Sequence, residues 1–157
     1  MAADRTPDPT DPGSLDEIEA EECWRLLATQ QVGRLAVMVG HYPLVFPVNF
    51  ALDDKVIVFR TAPGTKLYAI ERSNVTFEVD EIDVVRRSGW SVLVRGVAHQ
   101  LLARRNSEMA ARSEAAGAQP WAPGERDRIV RIVPDQVTGR RIRPGELPNA
   151  VDPRSYM

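Results

Sequence analysis

The sequence predicts an α+β fold in which mostly antiparallel strands form a small barrel, with two or three short helices beside it. Segments rich in β-branched and aromatic residues follow one another, separated by turn-forming residues. They lack the regular strand–helix alternation of a parallel sheet. Several are apolar at consecutive positions, which is typical of strands buried on both faces, as in a barrel.

The strands are predicted from alternating or continuous apolar runs, and the turns from Gly, Pro and Asp. Strict alternation over 75–80 indicates a strand with one buried face. Pro134 is expected to interrupt the last strand because proline cannot donate to a ladder of hydrogen bonds. The predicted strands are 35–39, 44–52, 56–60, 75–80, 91–101 and 128–142, with turns at 40–43, 53–54 and 88–89.

The helices are predicted from caps and from apolar residues at helical spacing. Ser14 and Glu17 have the spacing of a capping box, so the first helix is expected to start there. Pro63 and Gly64 suit the centre of a type II turn, which places Thr65 at the N-cap of a short helix. The predicted helices are 14 to 31–33, a short segment after 64, and 104–116 with Met109 as its main apolar anchor.

The composition is that of one globular domain. With 157 residues, of which 43% are hydrophobic and 27% charged, the chain can bury one core without disulfides. We expect residues 1–13, which contain three prolines, to be a disordered leader. Residues 14–142 are expected to form the domain, and 143–157 an irregular C-terminal tail.

Charge and sequence patterns exclude several functional classes. No apolar run reaches the roughly 20 residues of a membrane span and no secretory signal is visible, so a cytoplasmic protein without membrane contact is expected. The net charge of −2 offers no general attraction for nucleic acid. The single cysteine excludes intrachain disulfides, and the two histidines lie at no metal-binding spacing, so no metal site is expected.

The segment 59–67, with the sequence FRTAPGTKL, is the first candidate binding site. A buried strand ends there and passes through a turn into the short helix, whose first N–H groups lack intrahelical acceptors. Arg60 and Lys66 supply positive charge, and Thr61 and Thr65 supply hydroxyl groups. Together these groups would satisfy most acceptor oxygens of a phosphate monoester. The alternative is a capped helix whose charged side chains point to solvent.

Two further segments are candidates for contact with an aromatic ligand. Pro47 lies within a predicted central strand, so its neighbours' backbone groups need other partners, either at a bulge or on a planar ligand such as the pyrimidine edge of a flavin. A plain edge strand is the alternative. Trp90 and Ser91 start a buried strand, where the tryptophan either covers an aromatic ligand or plugs the end of the barrel.

Taken in order, these segments resemble the pyridoxamine 5′-phosphate oxidase-like flavoproteins, the FMN-binding split barrels. The resemblance extends from about residue 18 to residue 142 and implies a mostly antiparallel split β-barrel. The segments that carry it are 22–27, 32–36, 47–50, 59–67, 79–80 and 89–92.

The resemblance implies FMN as the cofactor and a homodimer with the flavin at the subunit interface. In that family the isoalloxazine ring lies against the strand that matches 47–50, and basic and hydroxyl residues that match those of 60–66 hold the phosphate. Residues that match Trp90 and Ser91 come from the partner subunit. The implied cofactor-binding residues are Pro47, Val48, Asn49, Phe50, Arg60, Thr61, Thr65, Lys66, Trp90 and Ser91.

Departures from the family pattern leave the substrate open. The C-terminal tryptophan and Arg-x-His signature that binds substrate in pyridoxamine phosphate oxidases is absent, and Arg60 and Thr65 stand where nitroimidazole-resistance relatives carry histidines. The leading hypothesis is an FMN-dependent oxidoreductase that acts on a small molecule, with NAD(P)H as a candidate electron donor and no identified catalytic residue. The alternatives are a flavin carrier or sensor without turnover, and a split barrel that uses deazaflavin or haem.

The phosphate hypothesis makes Lys66→Ala a specific test. Loss of one charge-assisted contact costs about 1.5–3 kcal/mol, so FMN should bind roughly tenfold to a hundredfold more weakly. Riboflavin lacks the phosphate and should be nearly unaffected. Titration of the apoprotein with both ligands, followed by flavin fluorescence, measures the two affinities. Equal losses for the two ligands would contradict a phosphate contact at Lys66.

Overall fold

The computed structural model describes residues 13–102 and 107–145, without the side chains of Thr65 and Lys66. The predicted leader therefore lies outside the described residues except for Gly13, and the predicted tail except for 143–145. None of the helices in the described ranges is long and apolar enough to cross a membrane. The elements are β1 (Ser14–Ile18), α1 (Ala20–Leu27), β2 (Val32–Val39), β3 (Tyr42–Asp53), β4 (Val56–Thr61), α2 (Thr65–Ile70), β5 (Asn74–Asp83), β6 (Ser88–Gln100), α3 (Ser107–Ala115) and β7 (Arg128–Arg143).

The seven strands form one antiparallel sheet in the order β1-β7-β4-β3-β2-β5-β6, and β6 also pairs with β7. This additional pairing closes the sheet into a barrel, with β1 added at the margin. The long strand β7 makes the closure, because it pairs with β6 on one side and with β4 and then β1 on the other. The predicted fold class, an α+β protein built on an antiparallel barrel, is confirmed.

Alternate residues of the strands fill the interior of the barrel. Phe50 and Phe77 meet edge to face, with ring centroids 5.0 Å apart. A Cβ atom on Gly33 would lie 2.3 Å from the Phe77 ring, so only glycine leaves room for that ring. The largest fully buried side chains include Leu27, Leu35, Ile57, Phe59, Ile70, Phe77, Val92, Val94 and Ile132.

The N-terminal segment differs from the prediction. The strand β1 takes the place of the predicted helix start, and α1 begins only at Ala20. β4 pairs with β7 only up to Ile132, so the later part of that edge is free for β1, which pairs with 139–143. A salt bridge from Arg143 to Asp16 (2.6 Å) joins the two strands. This long-range pairing outweighs the capping-box spacing, which is a purely local signal.

The predicted first helix is also too long at its C-terminal end. The Thr29 hydroxyl donates a hydrogen bond to the carbonyl of Leu26 (2.7 Å), just past the last residue of α1. Val32 then pairs with Asn49, so β2 begins three residues before the predicted strand start at 35. The residues from Val32 onward belong to the barrel instead.

One predicted turn lies at a different position in the structure, and one predicted strand break is a bulge instead. The turn predicted at 88–89 occupies 84–87, where the Asp83 carboxylate accepts a hydrogen bond from a backbone N–H of the turn (2.8 Å). The interruption predicted at Pro134 is a bulge opposite the step 95–96 of β6, and β7 continues through it. β6 therefore already begins at Ser88, within the predicted turn, and Pro134 does not end β7.

Both later helices are present, but the residues that cap or anchor them differ from the predicted ones. The N-cap of α2 is Gly64 (φ 150°, ψ −173°), so the predicted type II turn with Thr65 as the N-cap is wrong. α3 lies within the predicted segment, of which 104–106 are outside the described residues. Its buried side chain is Ser113, whereas Met109, the predicted anchor, is 37% exposed.

An ion-pair cluster attaches α3 to the outer face of the barrel. Nη1 of Arg131 donates to Oδ2 of Asp53 (2.7 Å) and to the Ser113 hydroxyl (2.6 Å). Nη2 of Arg112 donates to the other oxygen of Asp53 (2.8 Å). The side chains of Arg131 and Asp53 are only 9% and 10% exposed. The hydrogen bond from Arg131, and then that from Arg112, holds the pKa of Asp53 below its usual range.

Asp53→Asn is expected to lower the free energy of unfolding by about 3 kcal/mol at pH 7, because it leaves the Arg131 charge buried without its partner. Folding lowers the pKa of Asp53, so its stabilisation is complete above the ordinary carboxyl pKa and is lost as the pH falls through the lower folded value. The deficit of the variant should therefore be constant from pH 7 to 5 and narrow below about pH 4.

Urea unfolding at pH 7, 5 and 3 measures this deficit. Ser113→Ala is the matched control, because it removes an uncharged hydrogen bond to the same guanidinium and should cost about 1 kcal/mol at every pH. A deficit of Asp53→Asn that is the same at pH 3 and pH 7 would contradict the stabilising role of the ionised carboxylate.

Candidate functional site

β3 carries the predicted ring-binding segment 47–50, and one of its edges is open there. Residues 42–49 pair with β2, whereas pairing with β4 begins only at Phe50. The N–H of Phe50 donates to the carbonyl of Gln31, on the β2 side (3.0 Å). Because backbone groups alternate in direction along a strand, those of Pro47 face the opposite edge, which no described strand covers. Pro47 therefore causes no bulge and removes no hydrogen bond from the sheet.

The side chains of the four residues 47–50 alternate between the inner and the outer face of the sheet. Val48 and Phe50 are buried and belong to the core, so they fix the position of the strand. Pro47 and Asn49 point outward, and their backbone groups lie at the open edge. A ligand at this edge would contact the backbone directly, together with the outward side chains.

Arg60 lies beside the open edge. Phe50 and Phe59 are the last pair between β3 and β4, and both side chains point into the barrel. One position further along each strand, Asn49 and Arg60 therefore point outward on the same face. Arg60 is partly exposed, and no carboxylate among the described residues forms an ion pair with it. A cation without a counter-charge next to an open backbone edge can bind an anionic ligand that also has a polar rim.

Of the other predicted phosphate contacts, Thr61 is placed less favourably, and the side chains of Thr65 and Lys66 are outside the described part of the chain. Thr61 is buried, and its hydroxyl makes only a long contact to the carbonyl of Ala62 (3.4 Å). α2 has six residues and no side-chain cap, so cationic side chains rather than a helix dipole would have to attract an anion. The side chains of Thr65 and Lys66 are outside the described part of the chain, and their contact with phosphate stays a prediction.

Trp90 and Ser91 lie far from this corner in the same chain. They pair with the C-terminal end of β7, whereas Arg60 pairs with Ile129 near its N-terminal end, one position beyond the level of Gln100, the last residue of β6. Nine residues of strand separate Ser91 from that level, which is about 30 Å at 3.3 Å per residue and exceeds the length of FMN. Trp90 is buried in the core of its own chain and borders a pocket of about 640 Å³. One chain therefore does not bring the two halves of the predicted site together.

A residue that the sequence patterns do not reveal lies next to Asn49. The backbone N–H of Trp121 donates to Oδ1 of Asn49 (2.8 Å), which attaches the loop between α3 and β7 to the outward face of β3. The Trp121 residue is 69% exposed. This contact joins residues 72 positions apart, in a loop without periodicity, so no local pattern indicates it.

Asn49 also borders a pocket of about 400 Å³, on the side of α1 and the start of β2. Its polar lining includes Gln30, Gln31 and Gln119. No group of three or more His, Cys, Asp or Glu side chains within 13–102 and 107–145 is arranged to hold a metal ion. The polar groups that surround the open edge are thus a cation, amides and backbone groups.

The sequence profile of the family described as pyridoxamine 5′-phosphate oxidase matches residues 19–141. The chain belongs to this family. Among curated relatives, the uncharacterized protein Rv0080 of Mycobacterium tuberculosis is 34% identical over 132 residues, which cover 80% of this chain and 84% of that protein. The family predicted from the sequence is confirmed.

Two solved structures share the fold at substantial sequence identity. The FAD binding protein from Mycobacterium smegmatis is 40% identical with a TM-score of 0.70, and the match covers 82% of this chain and all (100%) of that chain. An FAD-binding protein from Mesorhizobium loti is 28% identical with a TM-score of 0.63, and the match covers 81% of this chain and 97% of that chain.

Asn49→Ala is expected to accelerate hydrogen exchange at the Trp121 amide by about twofold to tenfold, because that N–H loses an acceptor worth about 0.5–1.5 kcal/mol. Exchange followed by NMR or mass spectrometry measures the effect. Asn49→Asp is the control, since it keeps an acceptor oxygen and should keep exchange slow. If exchange in Asn49→Ala equals that of the unmodified protein, the hydrogen bond does not hold the loop.

Proposed function

We propose that the protein binds a flavin at the open edge of β3 and acts as a flavin-dependent oxidoreductase on a small molecule. The observation that carries the proposal is the position of Arg60, an outward cation with no ion-pair partner among the described residues. It lies beside backbone groups of Pro47 and Asn49 that no described strand covers. A flavin mononucleotide matches both features, because its phosphate is anionic and the pyrimidine edge of its ring carries hydrogen-bond donors and acceptors.

The residues present fit the mononucleotide part that FMN and FAD share. The strand edge can exchange hydrogen bonds with the ring, and Arg60 lies on the same side, one strand away. Family membership supports this assignment, as do the two related structures described as FAD-binding proteins. FMN, the cofactor expected from the sequence resemblance, is the smallest ligand with both parts.

The chain's own residues bind and orient the cofactor. A bound flavin supplies hydride or electron transfer. Arg60 would hold the phosphate, and the backbone at 47–49 would fix the ring through its polar edge. Among the described residues at this corner no side chain is a general acid or base near neutral pH, so solvent supplies and accepts protons. NAD(P)H is the proposed electron donor.

We propose further that the site is shared between two copies in a homodimer. Trp90 and Ser91 lie about 30 Å along β6 from the level of Arg60, so they can meet the same flavin only if they come from the partner subunit. The outer face of the sheet also carries exposed apolar side chains, among them Met38, Val45 and Leu93. Such a surface suits contact with a second copy.

Complementation between two defective variants tests the shared site. Arg60→Glu repels the phosphate, and Ser91→Phe fills the space that the partner's flavin would occupy. Each homodimer should bind FMN at least tenfold more weakly than the unmodified protein. A heterodimer, purified with two different affinity tags, contains one intact site and should bind one flavin per dimer with normal affinity. A heterodimer that binds no better than either homodimer would contradict the shared site.

A flavin carrier or sensor without turnover is the second candidate, favoured by the lack of an acid or base among the described residues at the corner. Reduction of the purified holoprotein with NADPH or NADH under argon, followed by exposure to air, distinguishes the two. Bleaching and recovery of the yellow colour support the oxidoreductase, whereas a yellow protein inert to both reductants supports the carrier. Mass identification of the co-purified ligand separates flavin from the deazaflavin and haem alternatives.

A further inference from the structure

We infer that the pocket of about 400 Å³ between β3, the end of α1 and the end of α3 is a second ligand site, for an uncharged molecule with a carboxamide or lactam edge. Such an edge presents a hydrogen-bond donor beside an acceptor. The inference does not rest on the proposed function, because it uses the edge of β3 that faces β2, whereas the proposed flavin site uses the opposite edge.

The first observation is an unpaired piece of backbone at Leu52. The N–H of Phe50 donates to the carbonyl of Gln31 (3.0 Å), and because backbone groups alternate along a strand, those of Leu52 face the same edge. β2 begins only at Val32, opposite Asn49, so no described strand pairs with Leu52 there. Leu52 borders the pocket. Its N–H and C=O therefore offer a donor beside an acceptor, which is the complement of a carboxamide edge.

The second observation is the lining of the pocket, in which no described residue carries a charge. In the part of the chain that the structure describes, the side chains of Gln31 and Gln119 make no hydrogen bond. Nε2 of Gln30 donates to Glu81 (3.1 Å) and to the Thr29 hydroxyl (3.2 Å), which leaves its carbonyl oxygen for a ligand. The polar side chains of the lining are the carboxamides of Gln30, Gln31, Asn49 and Gln119.

The absence of charge from the described lining determines which ligands fit. Burying a charge without a partner costs far more than burying a hydrogen-bonded amide, so such a pocket selects against ions. The Glu81 carboxylate that accepts from Gln30 strengthens the selection against anions. A phosphate would find no cation here, which distinguishes this pocket from the corner at Arg60. Its volume lies at the small end of the range for ligand pockets, so a small planar ligand fits.

The loop on one side of the pocket is held in place before a ligand binds. Gln119 lies between two anchors, because the side chain of Ala118 is buried (3% exposed) and the Trp121 N–H donates to Oδ1 of Asn49 (2.8 Å). A preformed pocket loses less entropy on binding.

Nicotinamide and nicotinate are matched probes, because they share a ring and differ in a carboxamide against a carboxylate. In a titration of the full chain followed by NMR of its amide groups, nicotinamide should shift the backbone amide of Leu52 and the side-chain amides of Gln31 and Gln119. Saturation is expected in the millimolar range because the probe is small. Nicotinate should bind at least about tenfold more weakly. An unshifted Leu52 amide, or equal affinities for the two probes, would overturn the inference.

Two variants test the pocket independently. Ala116→Phe fills it and should abolish the Leu52 shift, whereas Ala111→Phe, at an exposed position of α3 that does not border the pocket, is the matched control. Gln119→Leu keeps the volume and removes one carboxamide, so it should weaken nicotinamide by about twofold to tenfold. Urea unfolding verifies that each variant is folded. Unchanged nicotinamide binding in both Ala116→Phe and Gln119→Leu would overturn the inference.

The same titration with saturating FMN separates this pocket from the proposed flavin site. FMN should change the affinity for nicotinamide by less than about twofold. If FMN displaces nicotinamide from Leu52, the second site is overturned and the pocket belongs to the flavin. If FMN does not bind at all, the proposed function fails, whereas the Leu52 shift with nicotinamide is still expected.

NADH as a third probe distinguishes two sources of the carboxamide. The same Leu52 shift at lower concentrations of NADH than of nicotinamide would identify a nicotinamide dinucleotide as the ligand. A Leu52 amide that responds to nicotinamide and not to NADH would identify a small free amide.

Discussion

The separation of β3 from β4 after the Phe50–Phe59 pair determines the rest of the candidate site. Up to that pair the strands share a ladder, and both aromatic rings are anchored in the core. Beyond it, β4 ends at Thr61 and the chain turns into α2, while β3 continues alone beside β2. The same divergence exposes the backbone edge of β3 and places Arg60 next to it. The exposed backbone groups and the cation thus come from one feature of the sheet.

An open edge carries a risk of aggregation, because its free N–H and C=O groups can pair with strands of other molecules. Pro47 limits this risk. It stands at a position whose backbone faces the open edge, so it withholds one N–H there without weakening the ladder to β2. A ligand or a second copy of the chain that covers the remaining groups would satisfy them in a defined way. The proline in the middle of an apolar strand is therefore consistent with a strand that is an edge along half of its length.

Local patterns predict those parts of the fold whose cause is local. Alternation predicts β5, and the Pro63–Gly64 step predicts a short helix, while the basic and hydroxyl residues around Arg60 point to the corner that the structure leaves open. The capping-box spacing at Ser14 fails because an edge of β7, more than 120 residues away, pairs with that segment. Asn49 and Trp121 are likewise joined only by the tertiary fold. Contacts between residues so far apart in the chain leave no periodic pattern in the sequence, so local patterns do not predict them.

The outward face of β3 links the stability of the helix α3 to the candidate site. Asp53 and Asn49 lie on this face four residues apart, the first bound to Arg131 and Arg112 and the second to the backbone of Trp121. The loop that follows α3 is therefore fixed by the ion-pair cluster before it, by Asn49 in its middle and by β7 after it. A binding surface that is ordered before its ligand arrives loses less entropy on binding. The buried ion pair thus helps to order the loop that the Trp121 N–H attaches to Asn49, at a corner that the ion pair does not touch.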